Sequence, residues 1–121
     1  MKKHILVVDD DSEITTMMEQ ILRKNNYEVT VSHDGPHAIE QSHKHRIDLI
    51  LLDIRMPFFS GFWFCDAFKK KPQTRNIPIV IVSGLLDEEQ TKKAHELGAR
   101  ACLKKPFTAK ALLDVIEKAV A

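Results

Sequence analysis

The chain has 121 residues, of which 44% are hydrophobic and 29% charged, an ordinary balance for one soluble domain. Its formal net charge of +1 argues against nucleic acid as the main partner, because binding a phosphate backbone needs a concentrated basic face. The apolar runs are too short to cross a bilayer, and the amino terminus lacks a signal-peptide cleavage pattern. We therefore expect a cytoplasmic protein, one domain over residues 1–121, with neither membrane nor nucleic acid as partner.

Five short apolar segments predict the strands of one sheet. Most of them lack polar alternation, which is typical of strands buried on both faces of a parallel sheet. Helix-forming segments follow each strand after short connections, so strands and helices alternate along the chain. The pattern predicts an α/β fold with helices on both faces of a parallel sheet. The expected strands are at about 5–8, 28–31, 48–52, 77–82 and 101–103.

Capping residues indicate where several helices begin or end. Asp11 or Ser12 is expected to cap the first helix, Asp87 the fourth and Thr108 the fifth. Gly98 suits the left-handed conformation that ends a helix. The second and third helices are expected at about 35–46 and 61–70.

Polar side chains follow four of the predicted strands. Because the carboxyl ends of parallel strands meet at one edge of a sheet, where the ligand crevice lies, these side chains should come together. Carboxylates held that close repel each other unless they retain protons or a cation lies between them. Mg²⁺ is the hard cation that suits a few carboxylates and a phosphate. The residues are Asp9 and Asp10 after the first strand, Asp53 after the third, Ser83 at the end of the fourth and Lys105 after the fifth.

Four segments at this edge resemble the receiver domain of two-component response regulators. The resemblance covers nearly the whole chain and implies a flavodoxin-like three-layer sandwich with strand order 2-1-3-4-5. It also implies a signalling phosphoacceptor that catalyses only its own phosphorylation and dephosphorylation, with a sensor histidine kinase or histidine phosphotransfer protein as donor. The segments are Val8-Asp9-Asp10, Leu52-Asp53-Ile54-Arg55-Met56-Pro57, Val82-Ser83-Gly84 and Leu103-Lys104-Lys105-Pro106-Phe107.

The resemblance implies a role for each residue of the site. Asp53 would be the phosphoacceptor, Lys105 would pair with the phosphoryl oxygens, and Ser83 would donate its hydroxyl to one of them. Phosphorylation would then alter the surface formed by the last two helices and the last strand. That surface is expected to bind an output partner or a second copy of the chain. The implied Mg²⁺ ligands are Asp10, Asp53 and the backbone carbonyl of Arg55, with Asp9 acting through a water or more weakly.

Three positions near the site depart from the family pattern. Cys102 stands three residues before Lys105, where the family usually has an aromatic residue, so we expect altered rather than absent output coupling. Arg55 and Leu85 lie two residues past the phosphoacceptor and past the hydroxyl residue. Their side chains would flank the water that hydrolyses the acyl phosphate, so we expect a long-lived phosphoryl group.

Aromatic residues are concentrated in and before the third predicted helix. Phe64 and Phe68, with Cys65, are expected on its core face. Phe58 lies in a loop beside the site and Trp63 occupies a position that is usually charged in the family. These two are expected to form an aromatic patch for a partner or a dimer. Both cysteines of the chain are expected to be buried thiols.

Other functions compatible with this fold fit the residues less well. A phosphatase of the haloacid dehalogenase type needs a second acid two residues beyond its nucleophile, where this chain has Arg55. A nucleotide- or flavin-binding module is disfavoured because the four glycines form neither GxGxxG nor a P-loop. A receiver-like docking module that works without phosphorylation remains the alternative.

Overall fold

The computed structural model describes residues 2–56 and 59–121. Counting only the strands of the main sheet, their order is 2-1-3-4-5 and every pairing is parallel, which confirms the predicted flavodoxin-like topology. In chain order the strands of the described residues are β1 (His4–Val8), β2 (Glu28–Ser32), β3 (Leu49–Leu52), β4 (Arg55–Met56), β5 (Phe59–Ser60), β6 (Ile79–Ser83) and β7 (Ala101–Lys104). The main sheet runs β2-β1-β3-β6-β7.

Helices cover both faces of the sheet, and each face has its own hydrophobic core. One core joins Leu6 and Val8 of β1 to buried residues of α2, α3 and α4; the other joins Ile5 and Val7 to residues of α1 and α5. Among the described residues, no helix has the length and apolar character needed to cross a bilayer. The helices are α1 (Ser12–Lys24), α2 (Gly35–Lys44), α3 (Gly61–Lys70), α4 (Glu88–Glu96) and α5 (Ala109–Val120).

The capping residues named from the sequence have the expected geometry. Asp11, rather than Ser12, caps α1 by accepting hydrogen bonds from two backbone N–H groups of the first turn. Asp87 and Thr108 cap α4 and α5 in the same way, each through one bond. Gly98 has a φ of +95° just after α4, the left-handed conformation predicted for it.

Two local predictions were wrong. The chain from Met56 to the start of the third helix was expected to be a loop, but Arg55–Met56 pairs antiparallel with Phe59–Ser60. The rest of that predicted loop, Pro57 with Phe58, lies outside the described residues. Helix α2 ends at Lys44 rather than near residue 46 because His45 is extended, with φ −125° and ψ 150°.

The core face of α3 is the one predicted from the sequence. Phe64, Phe68 and Cys65 are all buried in the core beneath α2–α4, and Phe62 joins them. Trp63 is 55% exposed, and its ring meets that of Phe64 edge-on with the centroids 5.0 Å apart. The sequence therefore correctly separated the packing aromatic residues of this helix from the exposed one.

The two cysteines differ in their surroundings. Cys65 is fully buried, its thiol donates to the backbone carbonyl of Leu97 at 3.4 Å, and burial raises its pKa to about 11. Cys102 on β7 is only half-buried, although burial also raises its pKa. The prediction of two buried thiols is therefore confirmed for Cys65 and wrong for Cys102, because β7 is an edge strand with less cover than α3.

A histidine at the amino end of β1 lies in a partly desolvated cluster. His4 Nε2 is 2.7 Å from the Thr30 hydroxyl, and the ring centroids of His4 and His45 are 5.2 Å apart. Burial and the neighbouring His45 lower the pKa of His4, and these effects outweigh the opposing charges of Glu28 and Asp48. The folded protein therefore binds a proton at this site less readily than the unfolded chain does.

We expect His4 to make the protein less stable in mild acid. As the pH falls below 6.5, the ordinary pKa of histidine, the unfolded chain takes up the proton first, so the free energy of unfolding decreases until the pH passes the lower folded-state pKa. Urea unfolding across this range should show a shallower pH dependence for His4→Gln than for the unsubstituted chain. His43→Gln, on the exposed side of α2, is the control. Equal pH dependence in His4→Gln and the unsubstituted chain would contradict the assignment.

Candidate functional site

The residues predicted to form the site line one cavity at the carboxyl edge of the main sheet. Strand order explains the convergence, because β1 lies beside β3, β3 beside β6 and β6 beside β7. Each of these strands therefore delivers its last residue, or the residues just after it, to the same place. The cavity is lined by Asp9, Asp10, Asp11, Asp53, Arg55, Met56, Ser83, Gly84, Leu85 and Lys105.

Lys105 joins two of the carboxylates. Its ammonium donates to Asp9 Oδ2 at 2.7 Å and to Asp53 Oδ2 at 3.2 Å, and the side chains of the lysine and the two acids are only 16%, 2% and 8% exposed. The backbone N–H of Lys105 also donates to the carbonyl of Ser83, which fixes where β7 ends relative to β6. Burial alone would lower the pKa of Lys105, but the bonds and charges of the two acids raise it overall. The ammonium of Lys105 is therefore a positive charge fixed in place by Asp9 and Asp53.

Asp9 is buried and fully engaged by groups of this chain. Burial raises its pKa and the charge of Asp53 adds to this effect, while Lys105 and the backbone N–H of Asp11 oppose it. One carboxylate oxygen accepts from Lys105 and the other from the Asp11 N–H at 3.0 Å. Sequence reasoning did not predict that the backbone N–H of Asp11 would bind Asp9. The sequence indicated only a helix-capping role for Asp11.

The position of Asp53 is fixed from several directions. Its backbone N–H donates to the carbonyl of Val8 on β1 at 3.0 Å. Its Oδ1 accepts from the backbone N–H of Arg55 at 3.0 Å, and its Oδ2 accepts from Lys105. The carboxylate is thus oriented into the cavity beside the ammonium of Lys105.

Three carboxylates are close enough to share a metal ion. One oxygen from each of Asp9, Asp10 and Asp53 lies within 4.8 Å of the others, and Asp10 is the exposed member of the group. Hard oxygen donors around one exposed opening fit Mg²⁺, which keeps several of its waters. A single ammonium against three carboxylates also leaves the cluster with negative charge, so its electrostatics favour a divalent cation.

The hydroxyl and the flanking residues line the same cavity. Ser83 is fully buried, and its Oγ accepts from the backbone N–H of Leu85 at 3.2 Å. Leu85 is 48% exposed and Arg55 is also exposed, so both side chains lie at the mouth of the cavity. Cys102 pairs in register with Ile81, further back along the sheet, and is not part of the lining.

A family-level comparison agrees with this geometry. The family described as "Response regulator receiver domain" matches residues 5–117. The chain belongs to the response regulator receiver domain family. The match includes every residue of this receiver domain that lines the cavity.

Curated relatives of this receiver domain are longer proteins. The response regulator PleD of Caulobacter vibrioides is 38% identical over 107 residues, which cover 88% of this chain and 24% of PleD. The phosphate regulon transcriptional regulatory protein PhoB of Escherichia coli is 34% identical over 117 residues, covering 97% of this chain and 51% of PhoB. The chain thus spans 24% of the length of one relative and 51% of the other.

Solved structures share the whole fold of this receiver domain. The chemotaxis protein CheY4 of Vibrio cholerae has a TM-score of 0.94 and 30% identity, and the match covers 98% of this chain and 99% of that one. The receiver domain of a sensor histidine kinase from Pseudomonas aeruginosa PAO1 has a TM-score of 0.89 and 26% identity, covering 99% and 98%. That structure has a magnesium ion coordinated in its active site cleft.

Proposed function

We propose that this receiver domain accepts a phosphoryl group on Asp53 from a sensor histidine kinase or a histidine phosphotransfer protein. Mg²⁺ would be held by Asp10, Asp53 and the backbone carbonyl of Arg55, with Asp9 contributing through a water or more weakly. The observation that carries the proposal is the ammonium of Lys105, 3.2 Å from Asp53 in a cavity with a three-carboxylate cluster. The expected cytoplasmic location stays a prediction.

The proposed reaction is a displacement at phosphorus. A carboxylate oxygen of Asp53 attacks, an O–P bond forms, and the P–N bond to the donor imidazole breaks with its electron pair leaving on the imidazole nitrogen. Mg²⁺, when bound, supplies positive charge to the phosphoryl oxygens. Lys105 supplies a second positive charge from within the protein, since the two acids keep it protonated. This charge lowers the repulsion between an anionic nucleophile and an anionic donor.

The proposed output begins at Ser83. Its Oγ accepts from the Leu85 N–H, so its own O–H can donate to a phosphoryl oxygen on Asp53. A shift of Ser83 toward the phosphate would displace the segment that leads into α4 and change the surface of α4, β7 and α5. Cys102 occupies β7 on this surface in place of an aromatic side chain, so we propose that the coupling is altered there.

Intact-mass measurement with acetyl phosphate and Mg²⁺ tests the function. We expect a gain of one phosphoryl group in the unsubstituted chain and no gain in Asp53→Asn, because an amide is a poor nucleophile. Asp114→Asn, an exposed acid on α5 paired with Lys110, is the control and should label normally.

Each competing function gives a different result in this experiment. A phosphatase would release many equivalents of phosphate per chain, and a docking module would stay folded and unlabelled. Labelling of Asp53→Asn at the rate of the unsubstituted chain would sink the proposal.

The side chains of Arg55 and Leu85 are expected to prolong the life of the phosphoryl group. Both line the cavity and are exposed, so their side chains would restrict the approach of water to Asp53. The double substitution Arg55→Asn with Leu85→Ala should speed hydrolysis about tenfold, equivalent to about 1.4 kcal/mol in activation free energy. Loss of label from purified phosphoprotein, followed by mass, measures this rate. Decay of the unsubstituted protein within seconds would contradict a shielding role.

The partner surface is proposed either on α4, β7 and α5 or at an aromatic patch. Trp63 is more than half exposed on α3, which supports the second choice, whereas Phe58 lies outside the described residues. Trp63→Ser should weaken binding to the kinase or self-association, measured by analytical ultracentrifugation and titration calorimetry. Thr91→Ser on α4 gives a conservative control on the other surface. Unchanged affinity in Trp63→Ser would retire the aromatic patch.

A further inference from the structure

Gly61, the first residue of α3, packs directly on the backbone of the phosphoacceptor segment. A Cβ placed on Gly61 would overlap the carbonyl oxygen of Asp53 and the Cα of Ile54, and it would lie 2.9 Å from the carbonyl carbon of Asp53. The backbone N–H of Gly61 donates to the carbonyl of Ile54 at 2.9 Å. The start of α3 is therefore in close contact with the peptide that carries Asp53, with no space for a side chain.

Both backbone segments of this contact are held in place by other interactions. Asp53 is tied to Val8 of β1 through its backbone N–H, and Arg55 begins the short β4–β5 hairpin that returns the chain to Gly61. On the other side, α3 is anchored in the core by Phe64 and Phe68. Because backbone atoms make up the surface that faces Gly61, no rotation of a side chain can relieve a clash there.

We infer that Gly61 is a positioning residue for phosphoryl transfer. It lets α3 approach closely enough to fix the carboxylate of Asp53 against Lys105 and to fix the peptide of Arg55 beside the acidic cluster. This inference rests on the proposed function, since it concerns the geometry of the same reaction. A displacement of about 1 Å in a reacting group can cost about a hundredfold in rate. An added methyl group should therefore impair the chemistry more than the fold.

The test compares a glycine substitution at the site with one far from it. Gly98 lies between α4 and β7, away from the carboxyl edge of the sheet, and a Cβ there would meet the flexible side chain of Lys69, while its φ of +95° makes any side chain strained. Labelling by acetyl phosphate is measured per folded molecule, with folded fractions from circular dichroism, and Mg²⁺ affinity is measured by calorimetry. Gly61→Ala should label at least about tenfold more slowly and bind Mg²⁺ more weakly. Gly98→Ala should stay within about twofold in both measurements despite its lower stability.

The outcomes separate this inference from the function on which it depends. Failure of the unsubstituted chain to label would refute the proposed function. Normal labelling and Mg²⁺ binding by folded Gly61→Ala would refute the positioning role alone. If Gly61→Ala does not fold, Ser60→Ala removes the α3 cap bond to Phe62 without adding atoms, and Thr108→Ala does the same at α5. Slower labelling in Ser60→Ala than in Thr108→Ala supports the inference, and equal rates overturn it.

Discussion

Replacing Lys105 with methionine is expected to lower the free energy of unfolding by about 3 kcal/mol in Mg²⁺-free buffer. The substitution leaves the buried carboxylates of Asp9 and Asp53 facing each other without the ammonium that bonds to both at 2.7 and 3.2 Å. Removing one partner of a buried charge cluster lowers stability by more than the intact cluster raises it. The remaining charges stay away from water and have lost the opposite charge that balanced them. Urea unfolding with and without Mg²⁺ measures the effect.

The same variant should respond more strongly to the metal. With the lysine gone, the acidic cluster is more negative, so Mg²⁺ should bind more tightly to the folded state and restore part of the lost stability. Lys110→Met, which breaks an exposed pair with Asp114, is the control and should leave stability nearly unchanged. A Lys105→Met variant as stable as this control, or one that gains nothing extra from Mg²⁺, would show that the ammonium does not neutralise the buried acids.

Truncating Phe64 to alanine is expected to cost about 3–5 kcal/mol of stability. Its ring is 1% exposed, fills the core under α2–α4 and abuts Gly35, so its loss leaves a cavity between two helices. Thermal and urea unfolding would give the change. Trp63→Ala on the same helix is the matched control, because its ring is 55% exposed and less apolar area returns to water. A similar loss in both variants would contradict the claim that burial in this core makes Phe64 the more important of the two rings.

The layered α/β architecture could be predicted from the residues because its determinants are local, whereas the strand order followed from the resemblance to receiver domains. Strands without polar alternation can bury their side chains only in a sheet that is covered on both faces. Capping side chains such as Asp11, Asp87 and Thr108 then indicate where helices begin, and the structure has them in those roles. The β4–β5 hairpin could not be predicted, since strands of two residues have no periodicity to detect.

The site could be predicted as a set of residues but not as a set of contacts. Strand ends decide which side chains meet, so Asp9, Asp53, Ser83 and Lys105 were placed together correctly. The shorter bond of Lys105 to Asp9 than to Asp53 depends on side-chain rotamers and on burial, which sequence spacing does not encode. The packing of Gly61 on the Asp53 peptide is likewise a backbone-to-backbone contact, visible only once α3 is docked on the sheet.

The unequal burial of the two thiols should allow a spectroscopic probe to be attached at Cys102 alone. Maleimide or nitroxide reagents react with thiolates, and a fully enclosed sulfur with a pKa near 11 supplies almost none under mildly alkaline conditions. Cys102, half open on the edge strand, should therefore be modified selectively without first removing Cys65. Because Lys105 directly follows that strand, a fluorophore or spin label there would report on any rearrangement caused by the proposed phosphorylation.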